Sequence, residues 1–96
     1  MSQTNVVYQL YCPYPHCKAD SYIGMTQTTL FRRLASHTQH GSIYEHFYTT
    51  HNTKPTKSQL TENTKVIDKA NNRYKLAIKE ALLILQETPT LNKKIR

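Results

Sequence analysis

The chain has 96 residues, 38% of them hydrophobic, and a net charge of +7. This length predicts a single domain, residues 1–96 with a core from about 5 to about 93, and the composition excludes a disordered chain. No apolar run approaches the ~20 residues of a membrane span and the polar start lacks signal-peptide character, so we expect an intracellular protein with no membrane partner. The basic charge favours nucleic acid as partner, although an ordinary basic protein has the same composition.

The first part of the chain predicts a β-hairpin. Residues 6–11 are rich in β-branched and aromatic side chains, which is typical of a strand, and residues 21–25 predict a second short strand. Between them, residues 12–17 include two prolines that interrupt any ladder of backbone hydrogen bonds. We therefore expect a compact turn that carries both cysteines at the tip of the hairpin.

Two helices are predicted next. Thr28 or Thr29 can cap the first, and Gly41 is a natural stop. Ser42 can cap a second helix over residues 43–50. The apolar positions that we expect to face the core are Leu30, Phe31 and Leu34 in the first helix and Ile43, Tyr44, Phe47 and Tyr48 in the second.

The remaining chain predicts a loop, a strand and a long helix. Residues 52–64 are polar and include Pro55, which indicates a loop, and residues 65–68 predict a third strand. A helix is expected over residues 72–87, ended by Pro89, with Glu80 at the edge of its apolar stripe. The predicted stripe consists of Tyr74, Ile78, Ala81, Leu82 and Leu85.

Ten residues in fixed order along these elements resemble the motifs of the GIY-YIG endonucleases. The resemblance covers most of the chain, and the departure is Val6, which stands where the family's first motif has glycine. The matching residues are Val6, Val7 and Tyr8 in the first motif, Tyr22, Ile23 and Gly24 in the second, and then Arg33, His37, Glu80 and Asn92. The resemblance implies an α+β fold with a small three-stranded antiparallel sheet flanked by helices.

The residue types suit phosphodiester hydrolysis, which needs an activated water, neutralised phosphate charge and help for the leaving oxygen. A divalent ion can supply the last two, and a single carboxylate with phosphate oxygens and waters is a typical arrangement for Mg²⁺. The resemblance implies that Glu80 binds Mg²⁺ or Mn²⁺, that Arg33 binds phosphate and that Asn92 supports the site. It selects Tyr8 as general base, whereas the residues alone do not rank Tyr8 above Tyr22 or His37.

Each motif residue also has an ordinary structural interpretation. Tyr8 and Tyr22 can be aromatic residues of a strand face, and Gly24 can form a bulge. Arg33 can be a solvated helix residue like its neighbour Arg32, whose spacing to His37 does not fit the motif. Glu80 can pair with a surface lysine and Asn92 can be a turn residue. The joint order and spacing favour the endonuclease interpretation.

Two cysteines and two histidines form paired clusters. Cys12 and Cys17 are separated by four residues, as are His46 and His51, and these spacings occur in structural zinc sites. A zinc ion there would tie the hairpin tip to the second helix, with His51 at the helix end. His16 and His40 are rival ligands, and a disulfide or two buried thiols are alternatives for the cysteines.

The same cluster makes the chain similar to the GIY-YIG domain of Penelope-like retroelements. The resemblance implies a nuclear endonuclease that nicks DNA and works with, or is fused to, a reverse transcriptase. Two other interpretations stay open: a zinc-stapled nucleic-acid-binding module without catalysis, and a repair or junction nuclease of the same superfamily.

Overall fold

The structure, a computed structural model, describes residues 4–14, 17, 21–89 and 91–92. Its elements are β1 (Val6–Tyr11), β2 (Ser21–Thr26), α1 (Leu30–His37), α2 (Ser42–His51), α3 (Lys57–Glu62), β3 (Thr64–Lys69) and α4 (Arg73–Glu87). The strands form one antiparallel sheet in the order β2-β1-β3, and Val6 is buried in β1. The β1–β2 register is continuous, whereas the β1–β3 register shifts between Val7 and Tyr8. The predicted α+β class, hairpin and third strand are therefore confirmed.

Helices cover both faces of the sheet. Successive side chains of the central strand β1 point to opposite faces, and each face packs against a different set of helices. Tyr8 and Leu10 belong to a hydrophobic cluster that includes Phe47 and the buried leucines of α1 and α3. Val7 belongs to a second cluster with Leu76 of α4. The sheet thus lies between α1–α3 on one side and α4 on the other. None of the helices in the described ranges meets the requirements for crossing a membrane.

The predicted loop over residues 52–64 is wrong in its second half, where α3 forms. Thr56 caps this helix: its hydroxyl accepts a bond from the Gln59 backbone N–H (3.2 Å), and the Gln59 side chain accepts one from the Thr56 N–H (3.1 Å). This reciprocal capping box satisfies two backbone donors that a helix start otherwise leaves unpaired. Leu60 then anchors the helix, because its side chain is fully buried in the core.

The predicted apolar stripe of the last helix does not face the core. Tyr74, Ile78, Leu82 and Leu85 are exposed by 76%, 45%, 60% and 75%, and Ala81 is exposed as well. The opposite side of α4 packs on the sheet instead, through Leu76, Leu83 and Ile84. The helix carries apolar residues on two sides, so periodicity alone does not determine which side faces the sheet. In the structure, the side with Leu76 packs against Val7 and Ile23.

Two details of α1 and α2 also differ from expectation. Thr29 caps α1 as predicted, but Phe31 is 50% exposed, with Lys57 Nζ 3.7 Å from its ring centroid. Gly41 does not end α1; it is the residue before α2, and its φ of 98° is readily adopted only by glycine. Tyr48 is exposed and stacks on Tyr44.

Candidate functional site

Tyr8 lies at the centre of the first candidate site, opposite Gly24 in the β1–β2 register. A Cβ at position 24 would come within 2.8 Å of both the Tyr8 hydroxyl and a ring carbon of Tyr22. The β1–β2 register runs without a shift through this pair, so Gly24 is not a bulge residue. Because Gly24 has no side chain, the Tyr8 side chain can pass close to the backbone of β2 at this position.

Helix α1 brings Arg33 and His37 to the Tyr8 hydroxyl from successive turns. Arg33 Nε–H donates to Tyr8 Oη at 3.2 Å, and Tyr8 Oη lies 2.8 Å from His37 Nε2. Arginine has no acceptor, so the Tyr8 oxygen must accept from it. The phenol hydrogen is then free to point at His37, which accepts it when its Nε2 carries no proton.

Burial sets the protonation of this group. The pKa of Tyr8 is raised well above its usual range by burial and by Tyr22, so its hydroxyl is neutral at pH 7. Burial and the Arg33 charge lower the pKa of His37 to about 4, so the imidazole is neutral as well. Burial alone would lower the pKa of Arg33, but the two tyrosines reverse the sign and raise it. One permanent cation therefore sits beside two neutral proton carriers.

Tyr22 and Glu80 complete the surroundings of Arg33. Tyr22 is half-buried, with its ring edge-on to His37 at a centroid separation of 5.1 Å. Glu80 projects from α4 and is also half-buried. Burial raises the pKa of its carboxyl, and the Arg33 charge opposes that rise. The charge of Glu80 in turn contributes to the raised pKa of Tyr8. The structure thus gathers five of the predicted site residues into one neighbourhood: Tyr8, Tyr22, Arg33, His37 and Glu80.

Asn92 takes a different place, at the outer edge of β2. Its side-chain oxygen accepts from the Ile23 N–H at 2.7 Å, and its side-chain nitrogen donates to the Ile23 carbonyl at 2.7 Å. The Leu91 N–H donates to the Ser21 carbonyl in the same way (2.8 Å). Both ends of the Asn92 amide are therefore used to hold the strand that carries Tyr22 and Gly24.

The second candidate site joins the hairpin tip to α2. Cys12 Sγ lies 3.4 Å from His51 Nε2, and Cys17 Sγ lies 3.3 Å from His46 Nε2. All four ligand atoms lie within 4.8 Å of one another, and both cysteines are free thiols. His51 is the last residue of α2, as the spacing predicted. His40 is not a member of this cluster, and His16 lies outside the described residues.

The donor geometry of this cluster fits a tetrahedral zinc ion. Zn–S and Zn–N bonds of about 2.3 and about 2.05 Å at tetrahedral angles put sulfur and nitrogen about 3.6 Å apart. The two observed sulfur–nitrogen distances, 3.4 and 3.3 Å, need only small outward movements to match. Two thiolates and two imidazoles are ligands that zinc prefers. The cluster can therefore hold a structural zinc ion.

Aromatic side chains position the histidine ligands. Tyr14 stacks on the His51 ring at 4.0 Å, and Phe47, which is fully buried, lies edge-on to both His46 and His51. Burial raises the pKa of the Cys12 thiol to about 11, an effect that the Tyr14 backbone N–H opposes. Metal binding therefore has to displace a proton from this sulfur. From the sequence, Tyr14 is only one residue of the predicted turn over residues 12–17, and its position two residues after Cys12 is the one signal of its role.

Comparison with known proteins identified no relative of this chain. No protein-family model, curated protein or solved structure matches the chain.

Proposed function

We propose that the chain is a metal-dependent DNA endonuclease of the GIY-YIG type, stapled by zinc and resembling the domain of Penelope-like retroelements. The observation that supports this proposal is the cluster of Tyr8, Arg33 and His37, joined at one hydroxyl, together with a Glu80 carboxyl close enough to interact electrostatically with Arg33 and Tyr8. A phenol, a guanidinium, a neutral imidazole and a carboxylate in one place can together bind a phosphodiester and move a proton.

The burial of these side chains supports different roles for them in this proposal. Arg33, Tyr22 and Glu80 are half-buried and can reach a bound phosphate, whereas Tyr8 and His37 form the layer beneath them. Arg33 uses Nε–H on Tyr8 and has further N–H donors for phosphate oxygens, which it can stabilise as their charge grows in the transition state. When Tyr8 accepts a proton from the substrate side of the site, its own hydroxyl proton can transfer to His37 across the 2.8 Å contact.

Glu80 is the residue that would hold a catalytic Mg²⁺ or Mn²⁺. One carboxylate suits Mg²⁺ when phosphate oxygens and waters fill the other positions. When bound, such an ion would polarise the phosphate and stabilise the leaving oxygen. Within the described ranges, the one cluster of three or more ligating side chains is the Cys/His cluster, so we expect this second metal to bind together with DNA.

The zinc ion would have a structural role in this proposal. It would connect the hairpin tip to α2 and so hold β1, the strand that carries Tyr8, against the helices. In a retroelement the domain would nick DNA in the nucleus beside a reverse transcriptase. A repair or junction nuclease would use the same residues and prefer branched over linear duplexes.

A non-catalytic, zinc-stapled nucleic-acid-binding module is the second candidate. The complete burial of Tyr8 favours it, because a side chain with no exposed surface does not touch DNA or solvent directly. In a module the cluster would serve only to pack α1 on the sheet, and the +7 charge would supply the affinity for DNA.

Two neighbouring arginines provide a matched test. Zinc-loaded protein is incubated with supercoiled plasmid and Mg²⁺, and the nicked fraction is measured over time for wild type, Arg33→Met and Arg32→Met. Each variant loses one positive charge, but Arg32 is exposed and Arg33 contacts Tyr8. We expect Arg33→Met to nick at least about 100-fold more slowly and Arg32→Met to stay within a few-fold of wild type. Equal rates for the two variants would contradict the proposal, and a gel shift without nicking by wild type would favour the module.

A further inference from the structure

Helix α4 presents a continuous apolar stripe to solvent. Six large hydrophobic side chains are exposed in the described part of the chain, and four of them lie on this helix. Tyr74, Ile78, Leu82 and Leu85 recur every three or four residues, so they share one face, opposite the side that packs on the sheet. Isolated exposed hydrophobic residues need no explanation, but a stripe of this kind marks a contact surface.

The exposed parts of these four side chains amount to about 500 Å² per copy, so two copies that cover each other would bury about 1,000 Å². This area lies at the lower limit for specific interfaces and predicts a weak, reversible association. The α4 stripe, defined as Tyr74, Ile78, Leu82 and Leu85, is as large as the largest apolar patches on monomer surfaces, and patches of that size are often contact sites.

We propose that the α4 stripe is a homodimer interface in which two copies of the helix pack antiparallel about a two-fold axis near position 80. The spacing of the stripe is self-complementary in this arrangement. Ile78 of each copy comes level with Leu82 of the other, and Tyr74 comes level with Leu85. Such isologous contact, in which one patch pairs with itself, is the rule in two-fold dimers.

The charges along α4 are compatible with the antiparallel pairing and oppose the parallel one. The stripe contains no charged residue, and at its edge Lys75 comes level with Leu85 and Gln86 of the second copy. The two Lys75 side chains are then about 15 Å apart along the axis, beyond the Debye length at physiological salt. A parallel pair would place them side by side and align the helix dipoles. Lys79 is already paired with Asp68 at 3.1 Å.

The net charge of +7 predicts the salt dependence of this dimer. Two copies repel each other over their whole surfaces, whereas the contact itself is apolar. Added salt screens the repulsion and leaves the apolar contact intact, so we expect dimerisation to strengthen from 50 to 500 mM NaCl. Association through salt bridges would weaken over the same range.

Sedimentation equilibrium of the zinc-loaded protein from micromolar to millimolar concentration tests the interface. Leu82→Ser removes a side chain at the centre of the stripe, and Phe31→Ser is the matched control, an exposed apolar residue elsewhere. We expect a monomer–dimer equilibrium in wild type and Phe31→Ser, and at least a tenfold weaker dimer in Leu82→Ser. A monomer at every concentration, or equal loss in both variants, would overturn the proposal. Circular dichroism of each variant is the control for a retained fold.

Cysteine cross-linking then tests the orientation. In the antiparallel pair, position 81 of one copy lies about 3 Å along the axis from position 81 of the other, whereas the two positions 74 are about 18 Å apart. Zinc-loaded Ala81→Cys should form a disulfide dimer under mild oxidation, well above the background of wild type with its ligated Cys12 and Cys17. Tyr74→Cys should not. Faster cross-linking of Tyr74→Cys would overturn the antiparallel geometry.

Discussion

The two candidate sites differ in how far their side chains satisfy each other's hydrogen-bonding and coordinating groups. At the hairpin tip, two thiols and two imidazoles converge within 4.8 Å, and the arrangement becomes favourable when a cation occupies its centre. Around Tyr8, the hydroxyl, guanidinium and imidazole pair with each other, and no buried side-chain nitrogen or oxygen in the described residues lacks a partner. Geometry alone therefore identifies the first site as one that can hold a metal ion.

The second site can be interpreted in two ways for the same reason. A group of side chains whose hydrogen bonds are all made without a substrate can be a packed polar core, or it can be a catalytic group that lies beneath a substrate-binding surface. The half-buried Arg33 and Glu80 are compatible with the proposed catalytic interpretation, because both side chains keep exposed surface that a phosphodiester and an ion could contact. Experiments that disturb one site at a time can separate the two roles.

Loss of zinc should have the largest effect on stability. At free zinc 1,000 times its dissociation constant, binding stabilises the fold by about 4 kcal/mol. We expect Cys12→Ser to lose the zinc, measured as metal content per chain, and to lose stability of this order in urea unfolding. His40→Ala, outside the cluster, is the control and should keep one zinc per chain. Full metal content and stability in Cys12→Ser would show that the cluster is not a zinc site.

Acid should destabilise the fold through His37. Its pKa is lowered from 6.5 to about 4, so the unfolded chain binds a proton that the folded chain excludes between these values. The stabilisation is fully present above pH 6.5 and is lost as the pH falls toward 4, by up to about 3 kcal/mol. Comparing wild type with His37→Gln at each pH cancels the contribution of the zinc ligands. Parallel pH profiles for the two proteins would refute this prediction.

Gly24→Ala should disturb the Tyr8 cluster and leave the zinc cluster intact. The new methyl group would meet the Tyr8 hydroxyl and a Tyr22 ring carbon at 2.8 Å and a Tyr8 ring carbon at 2.9 Å, and overpacking of this kind costs about 1–3 kcal/mol. Urea unfolding measures the loss, and metal content should stay unchanged. In the Tyr8→Leu background the same substitution should cost less, since the obstructing ring is absent. Additive effects would mean that the ring is not what excludes the methyl group.

Asn92→Ala should have the smallest effect, about 1–2 kcal/mol, because it removes two hydrogen bonds at one strand edge. Amide hydrogen exchange provides a local measurement: protection of the Ile23 N–H should fall, while the amide of Leu34 in α1 should exchange as before. Unchanged protection at Ile23 would show that the clamp is not formed in solution.

Much of the fold could be predicted because local patterns determine it. β-Branched and aromatic runs identify the strands, Thr29 caps α1, and the paired spacing of Cys12, Cys17, His46 and His51 identifies the metal cluster. The α3 capping box of Thr56 and Gln59 was also readable, but Pro55 and the polar composition concealed it. These features depend on residues a few positions apart, which a sequence displays directly.

The rest depends on which surfaces meet across the molecule. Helix α4 has two apolar sides, and only the shape of the sheet decides that Leu76 is buried and Leu82 is not. Likewise, the need for glycine at position 24 arises from the Tyr8 ring on the neighbouring strand. The complete burial of Tyr8 could not be predicted either, since any strand tyrosine can lie on either face of a sheet.

The proposal of DNA cleavage depends most directly on Glu80. The decisive measurement is the nicked fraction of supercoiled plasmid produced by zinc-loaded wild type and Glu80→Gln, with Mg²⁺ present or withheld and with zinc content held equal. The account predicts nicking by wild type only when Mg²⁺ is present, and none by Glu80→Gln with its zinc and fold retained. Nicking by Glu80→Gln at the wild-type rate would contradict it, as would wild-type protein that shifts DNA in a gel and never cuts it.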